Sequence, residues 1–227
     1  MRWFLLFLFS AIPAMAQEIL PAEYSRLVME LNARSDFETL PQRPEPGFLL
    51  DTAFHSKGVW LGERFKGQVV VSPSQHDVLS NNPAMPLEIT RGIAGQNLSI
   101  AFHNGFGSNA LFPLGPIGFP EISARGEGSV AIMFENDQSA LGFRVHSDYP
   151  DPLGLRPNQR GTVTIQFFTR NGQKIDQLTR ILQQRITQFG FSRVDYISDI
   201  AGITIANDDP GGIAIDDIIF QISVPLG

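Results

Sequence analysis

Between residues 200 and 220 the chain has the sequence Ile200-Ala-Gly-Ile-Thr-Ile-Ala-Asn-Asp-Asp-Pro-Gly-Gly-Ile-Ala-Ile-Asp-Asp-Ile-Ile-Phe220. This pattern predicts a strand, an acidic glycine-rich turn and a second strand. In the second strand one face carries Asp217 among isoleucines, and the opposite face carries Asp216. An aspartate therefore interrupts an apolar row whichever face is buried. A buried carboxylate costs several kcal/mol unless a cation, an arginine or several N–H donors compensate its charge.

The same period of two runs through most of the chain and decides the fold class. Val163, Ile165 and Phe167 alternate with polar neighbours, and turn residues separate this run from the next. About ten short strands without alternating helices predict an all-β fold, a two-sheet antiparallel jelly-roll sandwich. Asn171-Gly172 predicts a type I′ hairpin turn. The remaining apolar runs lie near 48–54, 68–72, 98–102, 130–135, 141–146, 175–182, 188–194, 200–206 and 213–222.

The N-terminal region differs from the rest of the chain. Residues 1–16 combine Arg2, a short apolar run and Ala14-Met-Ala16, which is the pattern of a secretory signal peptide. Residues 17–35 form a short helical segment, with a helix predicted over about 22–34, and residues 36–224 form a single jelly-roll domain. The helix prediction depends on one apolar stripe at helical spacing, made of Leu20, Tyr24, Leu27, Val28 and Leu31.

Composition narrows the class of protein further. The 227 residues include no cysteine and carry a net charge of −6. A chain of this length can bury a core without disulfides, so an exported bacterial protein, extracellular or periplasmic, fits better than an animal ectodomain. The acidic charge argues against a nucleic-acid partner. No stretch after the signal approaches about 18 continuous apolar residues, so no transmembrane segment is predicted in the mature chain.

Three groups of residues are candidates for ligand binding. The region 103–128 is rich in glycine and proline and is predicted to be a long loop, either a binding loop or an ordered crossover that caps one sheet edge. Arg144 and His146, predicted to be exposed beside it, form a plausible ligand face. Aromatic side chains that could stack on a sugar ring, or equally belong to the core, are Trp60, Tyr149 and Tyr196.

The sequence gives less support to a catalytic site than to a binding site. The four histidines are scattered without a zinc-binding spacing, and no nucleophile elbow or phosphate-binding loop is present. A glycoside hydrolase needs only two carboxylates, for which Glu121, Glu127 and Glu135 are candidates, but their pairing is unspecific. The sequence therefore predicts a protein that is not an enzyme.

Several short motifs follow a familiar order along the chain. They are Asp36-Phe-Glu-Thr-Leu-Pro41, Gly58-Val-Trp-Leu61, Gly142-Phe-Arg-Val145, the run 162–169 with Asn171-Gly172, and Asp209-Pro-Gly-Gly-Ile-Ala-Ile-Asp-Asp-Ile218. This order resembles the secreted bacterial jelly-roll domains of PEP-CTERM-type surface proteins. The chain differs from them at Val224-Pro-Leu-Gly227, where the family continues into a sorting anchor, so release or periplasmic residence is expected.

The resemblance implies a lectin-like sandwich whose opening strand pairs with its closing strand, often around a structural calcium ion. By position, Glu38 matches the family's acidic residue on the opening strand, and Asp216 and Asp217 match those on the closing strand. The residues alone leave a second possibility, in which backbone amides and solvent compensate the aspartates. The leading hypothesis is an exported, non-catalytic sandwich that binds a glycan or matrix polymer; the alternative is a structural, self-associating surface or matrix protein.

Overall fold

The computed structural model describes residues 18–74, 76–147 and 160–223. The predicted signal peptide at 1–16 lies outside these residues. The described strands and the helix, in chain order, are β1 Ile19–Pro21, α1 Tyr24–Glu30, β2 Ala33–Ser35, β3 Phe48–Leu50, β4 Phe54–Ser56, β5 Val59–Gly62, β6 Val69–Val71, β7 Val78–Ser80, β8 Leu98–His103, β9 Ser108–Pro113, β10 Val130–Gln138, β11 Ala140–His146, β12 Thr162–Phe168, β13 Lys174–Ile181, β14 Ile186–Arg193, β15 Ile200–Asn207 and β16 Ala214–Phe220.

The strands form two packed antiparallel sheets, which confirms the predicted all-β sandwich. The larger sheet has the order β1-β14-β11-β16-β9-β8-β3, with β2 also paired to β16, and the smaller sheet has the order β13-β12-β15-β10-β5-β4. The hairpin β6–β7 stands apart from both sheets. No helix in this described part of the chain is long and apolar enough to cross a membrane.

The core lies between the two sheets and consists of the inward rows that the alternation predicts. Val163, Ile165 and Phe167 of β12 are fully buried and pack with Ile203 and Ile205 of β15. The alternating polar residues of β12 point to the other face of the smaller sheet, as a period of two requires.

The N-terminal segment belongs to the sandwich and is less helical than predicted. The helix α1 has seven residues instead of the predicted 22–34, and only Tyr24 and Leu27 of its apolar stripe are buried. It ends early because residues 33–35 pair with β16 as the strand β2. The opening strand that the resemblance implies at Asp36–Pro41 is not formed, because Phe37 has a positive φ of 60° and this segment contains a turn. The preceding residues 33–35 pair with β16 instead.

Two local predictions need correction. The region 103–128 is not one long loop, because Ser108–Pro113 forms β9 within the larger sheet and Ile122–Ala124 forms a 3₁₀ turn. The hairpin at Asn171-Gly172 exists, but its turn is centred one residue earlier than predicted. Gly172 N donates to Thr169 O at 2.9 Å, so Arg170 and Asn171 are the central residues and Gly172, at φ 76°, follows them.

Candidate functional site

A β-bulge in β16 changes the environment of both aspartates. Asp217 has a positive φ of 49°, and the pairing of β11 with β16 shifts between Gly142 and Arg144. The extra residue reverses the alternation, so neither aspartate interrupts the inward row, contrary to the sequence-based expectation. The residues of this row, all buried in the core, are Ile213, Ile215, Ile218 and Phe220.

Arginine compensates Asp217, and hydrogen-bond donors together with Arg144 compensate Asp216. Arg144 forms an ion pair with Asp217, and its Nη2 lies 3.7 Å from Asp216 Oδ2. Arg34 Nη1 lies 3.4 Å from the other carboxylate oxygen of Asp217. Ser108 Oγ donates to Asp216 Oδ2 at 2.7 Å, and Asp217 N donates to Asp216 Oδ1 at the same distance.

Burial affects the titration of this group. Desolvation raises the pKa of Asp216 to about 7, and the nearby Asp217 carboxylate acts in the same direction. Tyr24 donates its hydroxyl to Asp217 O at 2.9 Å, and burial raises the pKa of this phenol to about 12. The group therefore combines a closely held carboxylate with a phenol that stays protonated.

Glu38 adjoins this group through β9. It accepts a hydrogen bond from Asn109 N at 2.6 Å, one residue from the Ser108 that binds Asp216. The described residues contain no group of three or more His, Cys, Asp or Glu side chains that could hold a metal ion. In this structure guanidinium, hydroxyl and N–H groups contact the carboxylates of Asp216 and Asp217. Calcium at Glu38, Asp216 and Asp217 stays a prediction.

Arg144 and His146 adjoin the turn at 104–107, but His146 is not exposed as predicted. Only 5% of His146 is accessible, because its ring packs 4.6 Å from the ring of His103 and 5.8 Å from that of Phe106. The guanidinium of Arg144 lies 5.1 Å from the centre of the Phe106 ring. Access to this face is therefore limited, and the assignment of Arg144 and His146 to ligand binding stays a prediction.

A buried polar cluster continues from His103 on the same face. His103 Nδ1 lies 2.9 Å from Glu45 Oε1, and Arg125 forms an ion pair with Glu45. Desolvation lowers the pKa of His103 to about 4, so its ring is neutral at pH 7. These contacts join the 3₁₀ turn, β8 and the segment before β3, which is a structural role.

The structure places the three candidate glutamates in different surroundings. Glu127 is buried against His76, with 2.7 Å between Glu127 Oε2 and His76 Nδ1. Glu135 is exposed on β10 and lies 2.8 Å from His55 Nε2. Glu121 is exposed before the 3₁₀ turn. Glu127 and Glu135 have different histidine partners, so these contacts give no support to a glycosidase pair.

The aromatic candidates are also separated. Trp60 is 37% exposed on β5 and packs 4.7 Å from the ring of His55. Tyr196 is 61% exposed in the 3₁₀ turn Val194–Tyr196. Tyr149 lies outside the described residues.

A polar groove lies on the outer face of the smaller sheet, where the sequence predicted no site. It has a volume of about 400 Å³. Its floor is formed by β12, β13 and β15, and its wall by the start of β7. The residues that line it are Asp77, Val78, Leu79, Thr162, Thr164, Gln166, Gln177, Thr204, Ala206, Asn207 and Asp208.

The groove floor is a row of mutually hydrogen-bonded side chains on three adjacent strands. Gln166 Nε2 donates to Gln177 Oε1 at 2.9 Å, and Thr204 Oγ1 donates to Gln166 Oε1 at 3.3 Å. The hydroxyls of Thr164 and Thr179 lie 3.1 Å apart. These bonds fix the orientation of the amides, so the floor is preorganised.

An apolar cluster covers the other half of the outer face of the smaller sheet, so the groove is the open part of this face. Phe65, Leu87 and Ile89 pack over Ala131 and Phe168 as a small apolar cluster. Along β12 the outward residue therefore changes from polar at Gln166 to buried apolar at Phe168. The alternating Thr and Gln of β12 signal an exposed face, but only the sheet order shows which polar residues of β13 and β15 lie beside them.

The groove wall is attached to the sandwich by buried contacts. Asp77 N donates to Glu127 O at 3.0 Å, and the His76–Glu127 pair adds a second link. Ser72 Oγ donates to Asp77 Oδ1 at 2.5 Å. The wall is therefore held at a fixed distance from the floor.

Comparisons with known proteins do not assign a family. No protein-family model matches the chain, and the search of curated proteins found no match. Among solved structures, a mutant form of CBM29-2, a family 29 carbohydrate-binding module, aligns with 57% of this chain and 83% of that chain, at 14% identity and a TM-score of 0.32. A likeness of this size carries no argument about ligand or function, and the resemblance to PEP-CTERM-type domains stays a prediction.

Proposed function

We propose that this protein is an exported, non-catalytic carbohydrate-binding protein and that its ligand occupies the polar groove. The observation that carries the proposal is the preorganised row of amide and hydroxyl groups across β13, β12 and β15. Export is proposed from the pattern of residues 1–16.

The chemistry of the groove suits a polyhydroxylated ligand. A carboxamide both donates and accepts hydrogen bonds, as a sugar hydroxyl does, so Gln166 and Gln177 can each bind adjacent hydroxyls. Val78 and Leu79 of the wall offer an apolar surface for the C–H groups of a pyranose ring. The groove volume of about 400 Å³ lies within the usual range of ligand sites.

The carboxylates of the groove favour binding over catalysis. Asp77 is only 2% exposed and accepts a hydrogen bond from Ser72. Asp208 accepts hydrogen bonds from the main chain and hydroxyl of Thr162. Glycoside hydrolysis needs an acid and a second carboxylate that both reach the scissile bond, and these two are engaged in structural contacts.

Removal of a groove amide tests the proposal. Gln166→Ala and Gln177→Ala are each expected to weaken glycan binding about tenfold, because one hydrogen bond and the orientation of its neighbour are lost. The measurement is isothermal titration with the glycans that the wild type binds on an array. Gln188→Ala, an exposed glutamine of β14 in the other sheet, is the matched control and is expected to bind normally. Equal binding by all four proteins contradicts a site in this groove.

A structural calcium ion remains a separate proposal. An ion at Glu38, Asp216 and Asp217 must displace Arg144 and Arg34 from the carboxylate of Asp217. Calcium at 100 times its Kd would then stabilise the stripped protein by about 2.7 kcal/mol. The measurement is the melting temperature with Ca²⁺ or EDTA, for the wild type and Asp217→Asn. A melting temperature that does not respond to Ca²⁺ excludes the ion.

The alternative of a self-associating protein has one observation in its favour. The hairpin β6–β7 exposes Val69, Val71 and Val78, each about half accessible. Light scattering across a range of protein concentrations distinguishes a monomer from an assembly built through this hairpin.

A further inference from the structure

The charge distribution of the groove restricts the class of glycan that it can bind. Asp77 and Asp208 lie at the end where β12 begins, and Gln166 and Gln177 lie further along the same strand pair. Among the described residues that line the groove, none is basic. The chain as a whole carries a net charge of −6, so its overall potential also disfavours anions.

We propose that the groove selects uncharged oligosaccharides and rejects glycans that carry carboxylate or sulfate groups. This inference rests on the proposed function and adds the ligand class. Recognition of an anionic group in proteins relies on arginine, lysine or clustered N–H donors directed at the ligand. The described lining supplies hydroxyls and amides instead, which match neutral hydroxyl groups.

The shape of the groove points to a short chain of sugars. Thr162, Thr164 and Gln166 line it in succession along β12, which corresponds to about 13 Å of strand. This length exceeds a single pyranose ring. The apolar wall at Val78 and Leu79 runs beside the polar floor, so one edge of each sugar can meet hydroxyl and amide groups while a C–H face meets the wall.

The two acidic residues provide the negative selection. Asp208 is exposed, and a ligand carboxylate beside it would meet a like charge. Asp77 is buried in the wall at the same end of the groove, where its carboxylate would also oppose an anionic ligand. An anionic glycan therefore meets repulsion and finds no compensating cation among the described lining residues.

Paired polymers that differ only in charge test this selection. The probes are dextran against dextran sulfate and galactan against polygalacturonate, together with neutral oligosaccharides of two to six sugars, measured by affinity electrophoresis and titration at low and at physiological salt. The wild type is expected to bind neutral probes only. Asp77→Asn/Asp208→Asn is expected to bind anionic probes at least about tenfold more tightly than the wild type at low salt.

Suitable controls separate the possible failures. If Asp77→Asn perturbs the groove wall, the single variant Asp208→Asn provides the same test. Glu88→Gln, which removes an exposed carboxylate outside the groove, is the control. The charge selection is wrong if the wild type binds anionic probes as tightly as neutral ones and Gln166→Ala loses this binding. That result leaves the proposed function standing. Failure to bind either class overturns the proposed function itself.

Discussion

Replacement of Glu63 by glutamine is expected to make the protein progressively more stable than the wild type as the pH rises. Glu63 is fully buried after β5, and burial raises its pKa from 4.5 to about 7 while Arg64 partly opposes the shift. A carboxyl whose pKa is raised by folding stabilises the fold below its unfolded pKa. That contribution is lost as the pH rises through its folded pKa. Glutamine mimics the protonated form at every pH.

The expected size is large for one residue. A shift of 4.5 to about 7 corresponds to about 3 kcal/mol, because each pKa unit is about 1.36 kcal/mol. The difference in unfolding free energy between Glu63→Gln and the wild type should therefore grow by about 3 kcal/mol between pH 4 and pH 8. Urea unfolding at each pH unit provides the measurement.

The unfolding free energy of the variant must be compared with that of the wild type at each pH, because other groups titrate in the same pH range. Burial also raises the pKa of Asp209 to about 6, which acts in the same direction as Glu63. His103, whose pKa burial lowers to about 4, acts in the opposite direction between about pH 4 and 6.5. Glu88→Gln, at an exposed carboxylate, is the control and should show a small and nearly constant difference. A Glu63→Gln curve parallel to the wild type contradicts the effect of burial.

Arg144→Gln is expected to destabilise the protein by about 3 kcal/mol at pH 7. The change removes the guanidinium between Asp216 and Asp217, whose side chains are 1% and 12% exposed. Asp217 then keeps only the longer contact with Arg34, and a weakly compensated buried carboxylate is more costly than loss of a surface pair. Chemical denaturation measures the change. Arg26→Gln breaks the exposed pair with Glu30 on α1 and is expected to cost less than about 0.5 kcal/mol.

A double-mutant cycle distinguishes this pairing from simple loss of packing. Asp217→Asn in the Arg144→Gln background should recover part of the lost stability, with a coupling energy above about 1 kcal/mol. Additive effects would show that the guanidinium acts through its packing on Phe106 instead. Loss of glycan binding in Arg144→Gln with little loss of stability would favour the sequence-based assignment of Arg144 to a ligand site.

The sandwich was predictable because its core follows a simple periodic rule. Val163, Ile165 and Phe167 alternate with polar residues, and a period of two places them on one face regardless of which strands are neighbours. The same rule failed at Asp217, where a β-bulge with a positive φ adds one residue to the strand. The apolar residues after the bulge therefore stay on the inward face. Such a bulge depends on the pairing of β16 with β11, and the sequence of β16 alone gives no information about that pairing.

The groove was unpredictable for a related reason. Gln166, Gln177 and Thr204 come from three strands whose adjacency is set by the sheet order β13-β12-β15. The helix was overestimated because residues 33–35 have a non-local partner in β16, which the local spacing of residues 20–31 does not reveal. His146 was expected to be exposed, but the short turn that carries Phe106 folds back over it.

The position of β16 has a consequence for the order in which the chain can fold. β16 lies in the middle of the larger sheet, between β11 on one side and β9 and β2 on the other, although it is the last strand described. A nascent chain that has not yet released residues 214–220 therefore leaves β9 and β11 with unpaired edges, which are open to aggregation. Completion of the sheet also requires β2 and β16 to meet across about 180 residues, a long-range contact of the kind that slows folding. The larger sheet can therefore close only after synthesis has passed residue 220.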